Sequence, residues 1–128
     1  MKRLVLLRHA KSEWAGSARS GTFLNDMERP LSERGRGACK KMSEFFIRTK
    51  LTVDLVEFSP AKRAVDTFNL VRGSLSFSSC KPNSDLYTFS SECLRNVVAA
   101  KSNEVNSFLL IGHNPAIEEL VKALVPEK

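Results

Sequence analysis

The chain holds two histidines, His9 and His113, and each follows an apolar run. Leu4-Val5-Leu6-Leu7 leads into Arg8-His9, and Phe108-Leu109-Leu110-Ile111 leads into Gly112-His113. A third run, Val53 to Phe58, leads into Ser59-Pro60-Ala61-Lys62-Arg63. If these runs are strands of one parallel sheet, their carboxyl ends share an edge, and two arginines, two histidines and two helix N-termini converge there. Such a volume suits an anion. Guanidinium groups stay charged and clamp phosphate oxygens in bidentate fashion, and helix N-termini add unpaired N–H donors and partial positive charge. The same field disfavours a protonated imidazole, so at least one histidine should be neutral near pH 7. A neutral imidazole beside an immobilised phosphoryl group is a nucleophile in position. Its protonated partner would then donate protons and stabilise the transition state, a split that assigns the pair its roles.

The elements that must place these residues can be read from hydrophobic period. Arg3 to Leu7 is a continuous apolar run, as expected of a strand covered on both faces. Residues from Ala15 to Pro30 are rich in Gly, Ser, Arg and Asn and read as a long loop. A helix is expected from Ser32, its N-cap, to Thr49, with Ala38, Met42, Phe45 and Phe46 on its buried face. A strand over Val53 to Phe58 precedes a helix opened by Ser59 as cap and Pro60 in the first turn, with Ala61, Ala64, Val65, Phe68 and Val71 as its stripe. A short strand fits Leu75 to Phe77, and Leu86-Tyr87 fits a loop over the site. A helix from Ser90 to Lys101, a strand from Phe108 to Ile111 and a last helix carrying Ile117, Leu120, Val121 and Leu124, stopped by Pro126, complete the chain. Strands and crossover-length helices in alternation imply an α/β protein with a mainly parallel sheet and helices on both faces. Ligands of such sheets bind beyond the carboxyl ends of the strands.

Composition narrows the classes. The 128 residues fit a single domain, 1–128, and 42% hydrophobic with 27% charged residues describes a globular chain. The net charge of +6 is dispersed, which favours acidic or phosphorylated partners over nucleic acid. Three cysteines without CxxC spacing argue against a disulfide framework or a zinc site, and no Cys-x5-Arg sequence marks a cysteine-based phosphatase. The opening MKRLVLL is too short for a signal peptide, and no later stretch approaches a membrane span, so a cytoplasmic protein is expected.

Four motifs, LLRHAKSEW, DMERPLSERG, SPAKRAVDT and LLIGHNPAIEEL, occur in the order seen in the small SixA-like phosphohistidine phosphatases, and the chain resembles that branch of the histidine phosphatase superfamily. The resemblance implies a three-layer α/β/α, phosphoglycerate mutase-like fold. It implies His9 as nucleophile, Arg8 and Arg63 as holders of the phosphoryl oxygens, and His113 completing the pocket. Ser12, Asp26, Arg29 and Asn114 would contact substrate, with no metal and no cofactor.

The acidic proton donor of larger relatives has Asp26, Glu92 and Glu13 as candidates, and the small branch is similar in lacking one. Glu57 and Asp66 stand where relatives usually carry other residues, and the chain ends at Lys128 where relatives usually continue into further strand. The leading expectation is a metal-independent, monomeric phosphatase acting on phosphohistidine in a partner protein. Alternatives are a small-molecule phosphate ester phosphatase on the same scaffold and an inactive phosphate-binding module. A mutase lacks its acid and closing segments here, and an RNA-binding protein lacks its stacking aromatics.

Overall fold

The computed structural model describes residues 1–13, 25–101 and 103–125. Its four strands are β1 (Arg3–Arg8), β2 (Thr52–Phe58), β3 (Ser76–Pro82) and β4 (Ser107–Gly112). They form one sheet in the order β1-β4-β2-β3, with every pair parallel. The helices are α1 (Glu33–Thr49), α2 (Lys62–Val71), α3 (Ser91–Lys101) and α4 (Ala116–Leu124). From β1 to β2 to β3 the chain moves across the sheet in one direction, and α1 and α2 lie on one face. From β3 to β4 it returns, and α3 lies on the other face with α4. Reversing direction while keeping crossovers right-handed requires that exchange of faces.

The apolar runs read as strands because both faces of the sheet are covered. In β4, Phe108 and Leu110 meet Leu94 and Val97 of α3 and Ile117 and Leu120 of α4. The alternate residues Leu109 and Ile111 meet Ala64 and Phe68 of α2. All four of these side chains are fully buried, so an alternating apolar–polar pattern would have buried polar groups against one helical layer. α1 starts where expected: the Ser32 hydroxyl accepts a hydrogen bond from the Gly35 amide at 3.0 Å.

The structure departs from the sequence reading at several points. The buried face of α1 is Gly35, Cys39 and Phe46 with Met42 beside them, while Ala38 and Phe45 point to solvent. α2 begins at Lys62, two residues beyond the Ser-Pro pair, with Ala61 rather than Ser59 in the capping position. In α4, Val121 and Leu124 are exposed. The third strand is longer than expected, and 14–24 of the expected loop, together with Pro126, lie outside the described residues. Glu57 is fully buried in β2; its Oε1 accepts a hydrogen bond from Asn83 at 2.7 Å, and its Oε2 is ion-paired with Lys101 at 3.0 Å and Lys81 at 3.5 Å. That buried carboxylate ties β2 to β3 and α3. Among the described residues no helix is long and apolar enough to cross a membrane.

Candidate active site

Parallel register delivers the site. Arg8 lies opposite Gly112 in the β1–β4 ladder, and Phe58 opposite Ile111 in the β2–β4 ladder. The three chains therefore leave the sheet side by side. The ladder runs one step further on each side: the His9 amide donates to the Gly112 carbonyl and the Ser59 amide to the Ile111 carbonyl, both at 3.0 Å. His113 follows from the central strand. Beyond this edge lies a cavity of about 550 Å³ lined by Arg8, His9, Ser12, Asp26, Arg29, Arg63, His113 and Asn114, and also by Lys11 and Phe89. All eight residues singled out in the sequence thus meet at one cavity.

The hydrogen bonds fix both imidazoles. His9 Nδ1 lies 2.6 Å from the Ala10 carbonyl oxygen, which can only accept, so Nδ1 carries the proton. The lone pair is then on Nε2, where Arg63 Nε donates at 3.3 Å. Ala10 is held in turn: its amide donates to the Thr67 hydroxyl at 3.0 Å, and that hydroxyl donates to the Arg63 carbonyl at 2.7 Å. His113 is buried edge-on to His9, with ring centroids 5.0 Å apart. Its Nδ1 accepts from Arg63 Nη2 at 3.4 Å, so its Nε2 carries the proton and donates to the Ser59 hydroxyl at 2.8 Å. The same Ser59 oxygen accepts from the Ala61 amide at 3.2 Å, which ties the turn before α2 to His113.

Arg63, itself buried, stands between the imidazoles. Its Nε and Nη2 face the two histidines, while Nη1 donates to the Asp26 carbonyl at 2.7 Å and Nη2 to Asp26 Oδ2 at 2.9 Å. Asp26 Oδ1 accepts from Arg29 Nη1 at 2.7 Å, and Arg29 also donates to the Ser12 hydroxyl at 2.6 Å and the Glu13 carbonyl at 2.7 Å. Asn114 Oδ1 accepts from the Glu118 amide at 3.1 Å and so closes the first turn of α4 at the cavity wall.

Electrostatics follow from this crowding of cations. Burial, reinforced by Arg63 and Arg8, lowers His9 to about 4 against the opposing pull of its Ala10 hydrogen bond. Burial and Arg63 lower His113 to about 3. Both imidazoles are therefore neutral at pH 7, which corrects the expectation of one neutral and one protonated. Burial would raise Asp26, but hydrogen bonds from Tyr87 and Arg63 and the charge of Arg63 bring it down to about 2. A carboxylate so held is no proton donor, and neither Glu13 nor Glu92 lines the cavity. Among the described residues no three His, Cys, Asp or Glu side chains cluster as ligands for a metal.

The sequence reading missed two participants, Lys11 and Phe89, and placed Tyr87 over the site without its contact to Asp26. Lys11 and Phe89 line the cavity, and Tyr87 reaches Asp26 with its hydroxyl at 2.6 Å. Lys11 had a signal, being two residues from His9. Tyr87 and Phe89 come from a segment without periodicity, and only the turn before α3 brings them in.

A neutral imidazole nitrogen, guanidinium donors and a second imidazole meet at the carboxyl edge of a parallel α/β sheet, an arrangement suited to a phosphoryl group or a similar anion. The model of the histidine phosphatase superfamily (branch 1) matches residues 4–89, and the chain belongs to that superfamily. Its fold is that of SixA-like proteins. A candidate phosphohistidine phosphatase SixA from Agrobacterium tumefaciens superposes with a TM-score of 0.83 at 28% identity, over 98% of this chain and 78% of that one. The protein histidine phosphatase SixA complexed with tungstate superposes with a TM-score of 0.78 at 24% identity, over 98% and 78%. An uncharacterized chloroplastic protein of Arabidopsis thaliana is 26% identical over 96% of this chain, which spans 59% of that relative's length.

Proposed function

We propose that the protein is a metal-independent phosphatase that works through a phosphohistidine intermediate and whose substrate is phosphohistidine in a partner protein. The observation that carries the reading is His9 Nε2: an unprotonated nitrogen beside Arg63 at a cavity also lined by Arg8, its tautomer fixed by Ala10. In the first step Nε2 forms a bond to phosphorus as the bond to the leaving group breaks. Arg63 and Arg8 take up charge on the equatorial oxygens, and a dianion there favours protonation of His113 beside it. In the second step water attacks the phosphorus of phosphohistidine-9, and His9 leaves with phosphate released.

The choice of leaving group rests on the carboxylate at the cavity wall. Among the described residues this is Asp26, whose carboxyl, lowered to about 2, is ionised near pH 7 and has no proton to give an alkoxide. The imidazole of phosphohistidine accepts a proton itself and leaves neutral. The likeness to SixA proteins supports the same reading. Three free cysteines suit a reducing compartment, and we place the activity in the cytoplasm, carried out by a monomer.

Phosphate release from a phosphohistidine-bearing protein and from a panel of small phosphate esters, with EDTA present, tests this. We expect wild type to favour the protein and His9→Ala to lose turnover by at least a thousandfold, about 4 kcal/mol of transition-state stabilisation. Preference for small esters overturns the substrate, and unimpaired His9→Ala overturns the mechanism.

A further inference from the structure

We propose that Tyr87 is a positioning residue of this site: its hydroxyl fixes the Asp26 carboxylate, and through it aims the Arg63 guanidinium between the two imidazoles. The inference rests on reading the site as a phosphoryl-transfer centre. Asp26 Oδ2 accepts from Tyr87 at 2.6 Å and from Arg63 Nη2 at 2.9 Å, so one oxygen joins the two side chains. Together with the Asp26 carbonyl on Nη1, that carboxylate grips the rear edge of the guanidinium. The front edge, Nε and Nη2, is left directed at His9 Nε2 and His113 Nδ1, the positions flanking a transferring phosphoryl group.

Asp26 needs an external anchor. It sits in a three-residue 3-10 turn, Asp26–Glu28, and its side chain is 41% exposed, whereas that of Arg63 is 3% exposed. Arg29 holds Oδ1, but water competes for a carboxylate in that setting. A rotamer change would release Arg63 Nη2 and leave the guanidinium held on this side by the Asp26 carbonyl at Nη1 alone. Tyr87 is well placed to prevent it. The residue before it, Leu86, is fully buried in the core; the Tyr87 amide donates to the Ser84 carbonyl at 3.1 Å; and its ring stands edge-on to His113 with centroids 5.5 Å apart. The hydroxyl is thus carried at the end of the turn Ser84–Leu86, an element separate from the one that bears Asp26. In-line transfer is sensitive to small errors in donor position, so the benefit falls on the transferring group rather than on remote contacts.

Tyr87→Phe keeps the ring against His113 and removes only the hydroxyl. The variant, Asp26→Asn and the double variant are compared with wild type by phosphohistidine-protein kinetics and by calorimetric titration with tungstate, a tetrahedral oxyanion. Tyr87→Phe should lower kcat about tenfold with KM changed less than threefold, and weaken tungstate about 3- to 10-fold, the scale of one charge-assisted hydrogen bond. The double variant should be no worse than Asp26→Asn alone, since both substitutions cut one link. Wild-type kcat and tungstate affinity in Tyr87→Phe, or losses that add in the double variant, overturn the inference. Melting curves check folding; were Tyr87→Phe unfolded, undiminished tungstate affinity in Asp26→Asn would overturn it. Failure of wild type to turn over phosphohistidine overturns the functional reading alone, because the tungstate titration still reads the link.

Discussion

At the scale of single residues, the chemistry is set by how far burial moves two histidines. His9 and His113 lie at about 4 and about 3 in the folded protein, below the 6.5 of an exposed imidazole, chiefly through desolvation. Between those values and 6.5 the unfolded chain binds protons that the folded chain does not, so stability rises with pH across that window. Asp26, at about 2 against 3.8, contributes with the same sign at lower pH. Urea midpoints should therefore fall from pH 7 to pH 4.5, and fall less in His113→Gln. Because the chain has only two histidines, proton NMR assigns each titration without ambiguity. Neither ring resonance should move above pH 5, and a midpoint near 6.5 for His9 would contradict the buried, arginine-flanked geometry. Sequence showed that both imidazoles belong to a cationic site, because each follows an apolar strand. It did not show that both are neutral, since that depends on tertiary burial and on Arg63 facing both rings at once.

At the scale of elements, what was legible is what local period encodes. Strands β1, β2 and β4 follow from apolar runs, the four helices from stripes at helical spacing, and the Ser32 cap from its residue type, whereas the largely polar β3 was legible only as a short strand over Leu75 to Phe77. What was not legible depends on contacts between elements. Phe45 fits the stripe of α1 yet lies 48% exposed, because the helix turns Cys39 and Phe46 inward against Val71 of α2. The reason for that rotation is Gly35. The first turn of α1 runs so close to the loop after β1 that a Cβ at Gly35 would overlap the Lys11 carbonyl oxygen. That same oxygen accepts from the Ser32 amide at 2.9 Å and the Ser32 hydroxyl at 3.1 Å. Since Lys11 and Ser12 line the cavity, Gly35 positions one wall of the site. Gly35→Ala should destabilise by about 1–3 kcal/mol, because the obstructing atom is backbone and yields little. Gly37→Ala, with nothing within 4 Å of its added Cβ, should stabilise by about 0.5–1 kcal/mol from helix propensity alone. Urea denaturation of the two variants reads the contrast, and equal shifts in one direction would remove Gly35 from this role.

At the scale of the whole molecule, the net charge of +6 and the placement of cations act together on any approaching substrate. Arg8 and Lys11 are exposed at the cavity, with Arg29 and Arg63 further in, so the positive field is strongest where the phosphoryl group must enter. A field of this kind accelerates encounter with an acidic surface and leaves the bound complex little changed, so it acts on kcat/KM more than on kcat. Salt separates the two substrate classes, because screening at about 10 Å in 0.1 M salt reaches across a protein–protein approach but acts weakly inside the cavity. With an acidic phosphohistidine-bearing protein as substrate, kcat/KM should fall about tenfold between 0.05 and 0.5 M sodium chloride while kcat changes less than twofold. A small phosphoramidate, held at the cavity itself and bringing no acidic surface to the wider field, should lose far less. Parallel salt series with the two substrates make the comparison directly. Equal slopes would mean that the rim charges do not steer a macromolecule, and would shift the substrate assignment toward small phosphorylated compounds while leaving the chemistry at His9 in place.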